Sequence, residues 1–249
     1  MGSPSWPYPT TYAGSEATSV WGLTEGAHKT TGVDARVLPR SIVYDATLTL
    51  SLPVTMNVAS GLNALAHCVD SLWAPRTDPV DRALAGEGIR ALAAGLPAVV
   101  TDPTGLEGRE RVLYGAYLSA VAFSSAGSGL HHKICHVLGG AYDLPHAQTH
   151  AIVLPYVLAF NAPAAPEAGR RIAEAFGSAS ATEGLQRLRR AVDAPKALRD
   201  HGFDEADIDD AARAILEVVP ANNPRPVARH DLRWLLRAAW QGTDPSSRR

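Results

Sequence analysis

The chain has 249 residues, 46% hydrophobic and 19% charged, with a formal net charge of −2 at pH 7. That is enough apolar material for one large or two small soluble domains. The near-neutral balance argues against a basic face for nucleic acid and against a polybasic membrane patch.

The opening "MGSPSWPYP" has neither a basic start nor an apolar run, so no secretory signal is expected. The two cysteines, Cys68 and Cys135, make no disulfide framework, and the expected setting is a reduced cytoplasm. In the first forty-five residues, "TSVWGLTEGAHKTTG" and "RSIVYD" are β-branched and aromatic runs cut by Gly, Pro and Asp, which predicts two or three strands. After Pro53 the pattern turns helical. "NVASGLNALAHCVDSLWA" puts Val58, Leu62, Leu65, Val69 and Leu72 on one face, with Asn57 or Ser60 as its cap. A second helix in "DPVDRALAGEGIRALAAGLPAVV" is expected to end near Pro97, and a third lies in "GRERVLYGAYLSAVAFSSAG". The long uncharged run from Val112 to His132 is rich in Gly, Ser and Ala, so a buried core helix is expected rather than a membrane span. "HAIVLPYVLAFN" reads as a helix kinked or broken at Pro155. Four amphipathic segments follow residue 164, with helix starts near Asp204 and Asp231, before a frayed "DPSSRR" tail.

No GxGxxG follows a strand, and no GxxxxGK[ST] or GxSxG appears, so residues 1–249 encode no recognisable dinucleotide turn or serine-hydrolase elbow. The concentrated signal is "LHHKICHVLGGAYDLPHAQTH", Leu130 to His150, which holds five of the nine histidines. Residues four apart share a helix face, which pairs His132 with His136, Asn63 with His67, and His146 with His150. Neutral imidazoles at such spacing suit a divalent metal, and a histidine can equally move a proton to a forming oxyanion. Spacing alone leaves both open. His28, His201 and His230 lie outside the cluster, and His131 is expected to point to another face of its helix, either backing the cluster or at the surface.

"PTTYAGSEATS" (9–19), "KTTGVDARVLPRSIVYD" (29–45), "SGLNALAHCVD" (60–70), the histidine stretch and "NNPRP" (222–226) together resemble the maleylacetate reductase branch of the iron-containing alcohol dehydrogenase group. The resemblance runs from about residue 8 to 242. It implies a mainly α fold: a dehydroquinate-synthase-like C-terminal helical domain at 51–249, carrying the histidine pocket, after a short inter-domain β segment at 1–50. It implies NADH- or NADPH-dependent reduction of maleylacetate to 3-oxoadipate in aromatic degradation, by hydride transfer to the keto carbon, with histidines polarising the keto group and protonating the oxyanion. His136 and His132 are the expected proton donors, supported by His67 and His146.

Metal-dependent members hold Fe or Zn through an Asp and three His. The matching positions are Asn63, His67, His132 and His146. An amide at Asn63 supplies no charge, which lowers divalent affinity and favours a metal-free pocket. The substrate is a keto or enol dicarboxylate, so Lys133, His150 and Arg225 are expected to meet its carboxylates. Thr10 and Thr11 match a cofactor-contacting loop.

The family's N-terminal nucleotide-binding domain has no counterpart in this sequence. The pocket is therefore expected to belong to a longer product, or to work as a homo-oligomer or with a separate nucleotide-binding partner chain. Two alternatives stand beside this: nicotinamide-free isomerase, lyase or hydrolase chemistry in the same pocket, and a non-catalytic interaction module.

Overall fold

In the computed structural model, which describes residues 6–25 and 28–245, the protein is mainly helical with one small sheet. Strands β1 (Val20–Glu25) and β2 (His28–Val33) pair antiparallel, with Val20 opposite Val33 and Glu25 opposite His28. The run "RSIVYD", expected to supply a third strand, forms none. It is tied down instead by one backbone bond, Val43 N–H to the Pro7 carbonyl at 3.1 Å, and by Tyr44, whose hydroxyl donates to Glu16 Oε1 at 3.1 Å. With no further strand beside it to continue a ladder, its β-branched side chains have no sheet to join.

Helix α1 (Val54–Ser71) is the axis of the molecule. Val58, Leu62, Leu65, Val69 and Leu72 are all buried, as expected, but so is nearly every other residue of the helix. Its N-cap is Pro53, not Asn57 or Ser60. Both lie inside the helix and have other partners: the Asn57 amide donates to the Leu52 and Pro53 carbonyls, and Ser60 Oγ accepts from the Tyr12 backbone.

Helices α2 (Pro79–Thr101) and α3 (Leu106–Ala126) pack along α1. A reciprocal Asp78–Asp81 capping box starts α2. The helix does not stop at Pro97. It runs on to Thr101, because Pro97 forfeits one backbone bond while the flanking turns stay buried against α3. The uncharged run Val112–His132 is not one helix. It is divided between α3 and α4 (Leu130–Ala141) by Gly127–Gly129. Among the described residues, α2 is the one helix long and apolar enough to cross a membrane, and here it packs against both α1 and α3. Helix α5 (His146–Asn161) continues unbroken through Pro155.

Helices α6 (Pro166–Phe176), α7 (Ala181–Ala191), α8 (Ile208–Val218) and α9 (Arg229–Gln241) complete the fold. The predicted starts hold: Asp204 caps a short turn leading into α8, and the Asp231 carboxylate accepts the Ala228 N–H at the head of α9. Two apolar cores result. One joins α1, α2, α3, α6 and α7, the other α4, α8 and α9, and α5 contributes to both. The histidines lie where α1 meets α4 and α5.

Candidate active site: a histidine cluster between three helices

Helix α1 presents Asn63, His67 and Asp70 along one stripe, at spacings of four and three residues. All three are buried. Opposite them, α4 begins at Gly129, and its exposed backbone donors need an acceptor. Asp70 supplies it across the interface: Oδ2 accepts the Gly129 N–H at 3.0 Å and the His132 N–H at 3.2 Å. A side chain at residue 129 would not fit, since its Cβ would stand 2.6 Å from Asp70 Oδ1. The same Oδ2 lies 2.7 Å from His132 Nδ1, and the Trp73 indole donates to Oδ1 at 3.2 Å.

The His132 ring is held between aromatic faces. His67 stacks on it at 4.9 Å between centroids and Phe123 packs at 4.2 Å. Behind it His150 lies at 5.0 Å and His131 at 5.1 Å. His136 is 6.1 Å from His132, and His146 is 4.3 Å from His150. His136 and His146 are exposed, whereas His67, His131, His132 and His150 are buried.

Burial pushes these four imidazoles well below the ordinary histidine value of 6.5, and repulsion among the rings adds to it, so they are neutral at pH 7. Burial also raises the Asp70 carboxyl. His131, the Trp73 indole and the two backbone N–H groups pull it back.

The loop carrying Thr10 and Thr11 lies against α1. Tyr12 donates its N–H to Ser60 Oγ at 2.9 Å and its hydroxyl to Asn57 Oδ1 at 2.7 Å. Gly14 then turns with φ of +76°, and a Cβ there would be 2.7 Å from the Ala120 Cβ and 3.7 Å from His67 Cε1. Only glycine combines that angle with so close an approach. The loop therefore runs beside the histidine cluster, with Thr10 exposed and Thr11 half-buried.

Of the residues singled out from the sequence, Asn63, His67, His132, His136, His146 and His150 come together, and Lys133 stands half-buried beside His132. Two placements differ from expectation. Arg225 stacks over Phe160 at 4.3 Å and pairs with Asp231 at 3.5 Å. Phe160 lies fourteen residues along α5 from His146, about 20 Å at 1.5 Å per residue, so Arg225 is outside the cluster. His150 is fully buried and neutral, with Nδ1 2.9 Å from His131 Nε2, which makes it a poor partner for a carboxylate. His131, expected behind the cluster or at the surface, is buried behind it against His132 and His150. Asp70 and Phe123 were not anticipated. Asp70 had one readable signal: an acid in register with Asn63 and His67 on an otherwise apolar helix.

Asn63 Oδ1, His67 Nδ1 and His132 Nε2 are buried with no hydrogen-bond partner among the described residues. In kind, the amide oxygen and the imidazoles of His67, His132 and His146 fit a divalent cation, but they bring no negative charge to it. A second group, His131, Cys135 and His150, has its ligand atoms within 4.8 Å of one another, with the His131 and His150 nitrogens already hydrogen-bonded.

Residues 57–240 match the model of the iron-containing alcohol dehydrogenase family, C-terminal. The chain is 46% identical over 242 residues to maleylacetate reductase of Sphingobium indicum, covering 97% of this chain and 68% of that one. It is 44% identical over 237 residues to maleylacetate reductase of Delftia acidovorans, at 95% and 67% coverage. Among solved structures, the iron-containing alcohol dehydrogenase of Corynebacterium glutamicum superposes with a TM-score of 0.95 at 66% identity, covering 97% and 68% of the two chains. Maleylacetate reductase of a Rhizobium species gives 0.92 at 41%, with 97% and 69% coverage. The chain thus spans about two thirds of the length of these relatives. With a helical body, a histidine cluster and a family match that all agree, the chain belongs to the iron-containing alcohol dehydrogenase family of oxidoreductases, among relatives named maleylacetate reductase.

Proposed function

We propose that this chain forms the substrate-binding and proton-handling part of an NAD(P)H-dependent maleylacetate reductase. In this reading residues 51–249 are the catalytic helical body. Residues 1–50 are the β segment leading from a nucleotide-binding domain outside these 249 residues. The single observation that carries the reading is the convergence of His67, His132, His136 and His146 beside the Thr10–Thr11 loop.

When bound, the nicotinamide supplies a hydride. The product 3-oxoadipate keeps its ketone, so the hydride enters the conjugated alkene carbon and not the keto carbon expected from the sequence. The alkene electron pair moves onto the keto oxygen as an enolate. One proton returned to the α carbon completes the addition of two electrons and two hydrogens. His136 is exposed at the edge of the cluster and can draw protons from solvent, so it is the donor in this scheme. Lys133 pairs with a substrate carboxylate. His67 and Phe123 wall the pocket and keep water from the reacting atoms. A cation, if one binds, would be held by Asn63, His67, His132 and His146 and would polarise the keto oxygen. The neutral donor set supports a metal-free reaction.

Calorimetric titration of the chain with 3-oxoadipate tests the pocket without needing a cofactor. Binding is expected, weakened about tenfold in Lys133→Ala. A wild-type chain that does not bind, or a variant that binds equally well, contradicts the assignment.

A further inference from the structure

Whether His132 gives or takes a hydrogen bond depends on which ring nitrogen carries its proton. The groups around Asp70 decide this. Its Oδ2 meets two backbone N–H groups, Gly129 at 3.0 Å and His132 at 3.2 Å, and its Oδ1 meets the Trp73 indole N–H at 3.2 Å. All three are donors that cannot accept, so the carboxylate is built to receive on both oxygens. The ring nitrogen 2.7 Å from Oδ2 is His132 Nδ1, and it must therefore carry the proton. In a neutral imidazole the other nitrogen then carries only a lone pair. That nitrogen, Nε2, is buried and has no partner among the protein atoms.

We propose that Asp70 is a positioning residue that holds His132 as its Nδ1–H tautomer, so that Nε2 meets the bound ligand as an acceptor of an electron-deficient group. That group is an O–H of an enolised keto acid or a cation, two sources of one chemistry. His132 therefore gives no proton, and donation falls to the exposed His136 and His146. The inference deepens the reductase reading by dividing the histidines into an acceptor and donors. The tautomer itself does not depend on that reading.

Two-bond proton–nitrogen NMR of the histidine rings reads the tautomer directly. In the wild-type chain at pH 7, His132, assigned by comparison with His132→Gln, is expected to show a pyrrole-type Nδ1 and a pyridine-type Nε2. Asp70→Asn can keep its oxygen toward Gly129 and His132 while losing only the Trp73 contact, so it is expected to retain that pattern. Asp70→Ala removes the acceptor and is expected to shift the ring toward the Nε2–H form favoured by free imidazole.

Adding Zn²⁺ alone, and separately 3-oxoadipate alone, to the wild-type chain identifies the source: whichever is recognised moves the Nε2 signal. A wild-type Nε2–H pattern overturns the proposal, as does an Nε2 signal that neither probe moves. Should Asp70→Ala fail to fold, since Asp70 also caps α4, the wild-type and Asp70→Asn spectra still decide. Calorimetric binding of 3-oxoadipate alongside a wild-type Nε2–H pattern would sink this inference and leave the reductase reading standing. A correct tautomer whose Nε2 signal Zn²⁺ moves, with no such binding of 3-oxoadipate, would do the reverse.

Discussion

Asn63 sets the charge of the pocket. In the proposed pocket the amide of Asn63 stands at the position where a carboxylate would bring the negative charge a divalent ion needs for tight binding. Asn63→Asp is therefore expected to raise Zn²⁺ affinity at least tenfold in competition with a chromogenic chelator, and equal affinities would contradict the account. The neutral histidines also make the protein acid-sensitive. His67, His131, His132 and His150 have folded-state values well below the ordinary 6.5, so the unfolded chain takes up protons first as pH falls. Their contribution is complete above about pH 7 and is lost progressively below 6.5, by up to about 1.4 kcal/mol per pH unit for each histidine. Urea unfolding at several pH values between about 7 and about 5 should show uptake of more than two protons, and a flat profile would refute it. At this scale the sequence was readable where partners lie within one helix, as with Asn63–His67 and His132–His136. For Asp70 only its register with Asn63 and His67 was readable, not its histidine partner 62 residues away, and Arg225, a loop residue whose ring partner is on α5, was misplaced.

At the scale of elements, the helices are set by periodic apolar patterns, and most of the helical pattern was legible for that reason. The errors fall at prolines and at segments whose partners are distant. Pro97 reads locally as a helix end and Pro155 as a kink or a break, yet both helices continue past them because their flanking turns are buried by neighbours the local sequence does not specify. "RSIVYD" has strand-like composition and no ladder to join. The α2–α3 pair, which braces α1 and carries Phe123, packs its backbones closely. A Cβ at Gly95 would sit 3.0 Å from both the Gly108 carbonyl and the Val112 nitrogen. Because both are backbone atoms, Gly95→Ala is expected to cost about 1–3 kcal/mol. A melting temperature unchanged from wild type would show that the two helices can slide apart freely. Near the site, Tyr12→Phe removes the hydroxyl that anchors the Thr10–Thr11 loop to Asn57 and is expected to cost about 1 kcal/mol in urea unfolding. No loss would mean the loop is held by other contacts.

Across the whole molecule, two apolar cores meet along α5, and His146 and His150 bring the histidine cluster to the start of that helix. A junction between rigid bodies is where a pocket can be lined from several helices at once, with no single element having to supply all the chemistry. The sequence marked the residues of this pocket by their concentration and their family likeness. It did not mark the pocket's polarity, which comes from the buried carboxylate behind it. In the proposed reaction the cluster delivers the proton in maleylacetate reduction through His136. Steady-state NADH consumption with maleylacetate, by the chain joined to the third of the Rhizobium relative that it does not cover, tests this as wild type and as His136→Ala. The account predicts turnover by the wild type and a loss of about a hundredfold or more in the variant. A folded wild-type protein that leaves NADH unconsumed, or a variant as fast as wild type, would contradict it.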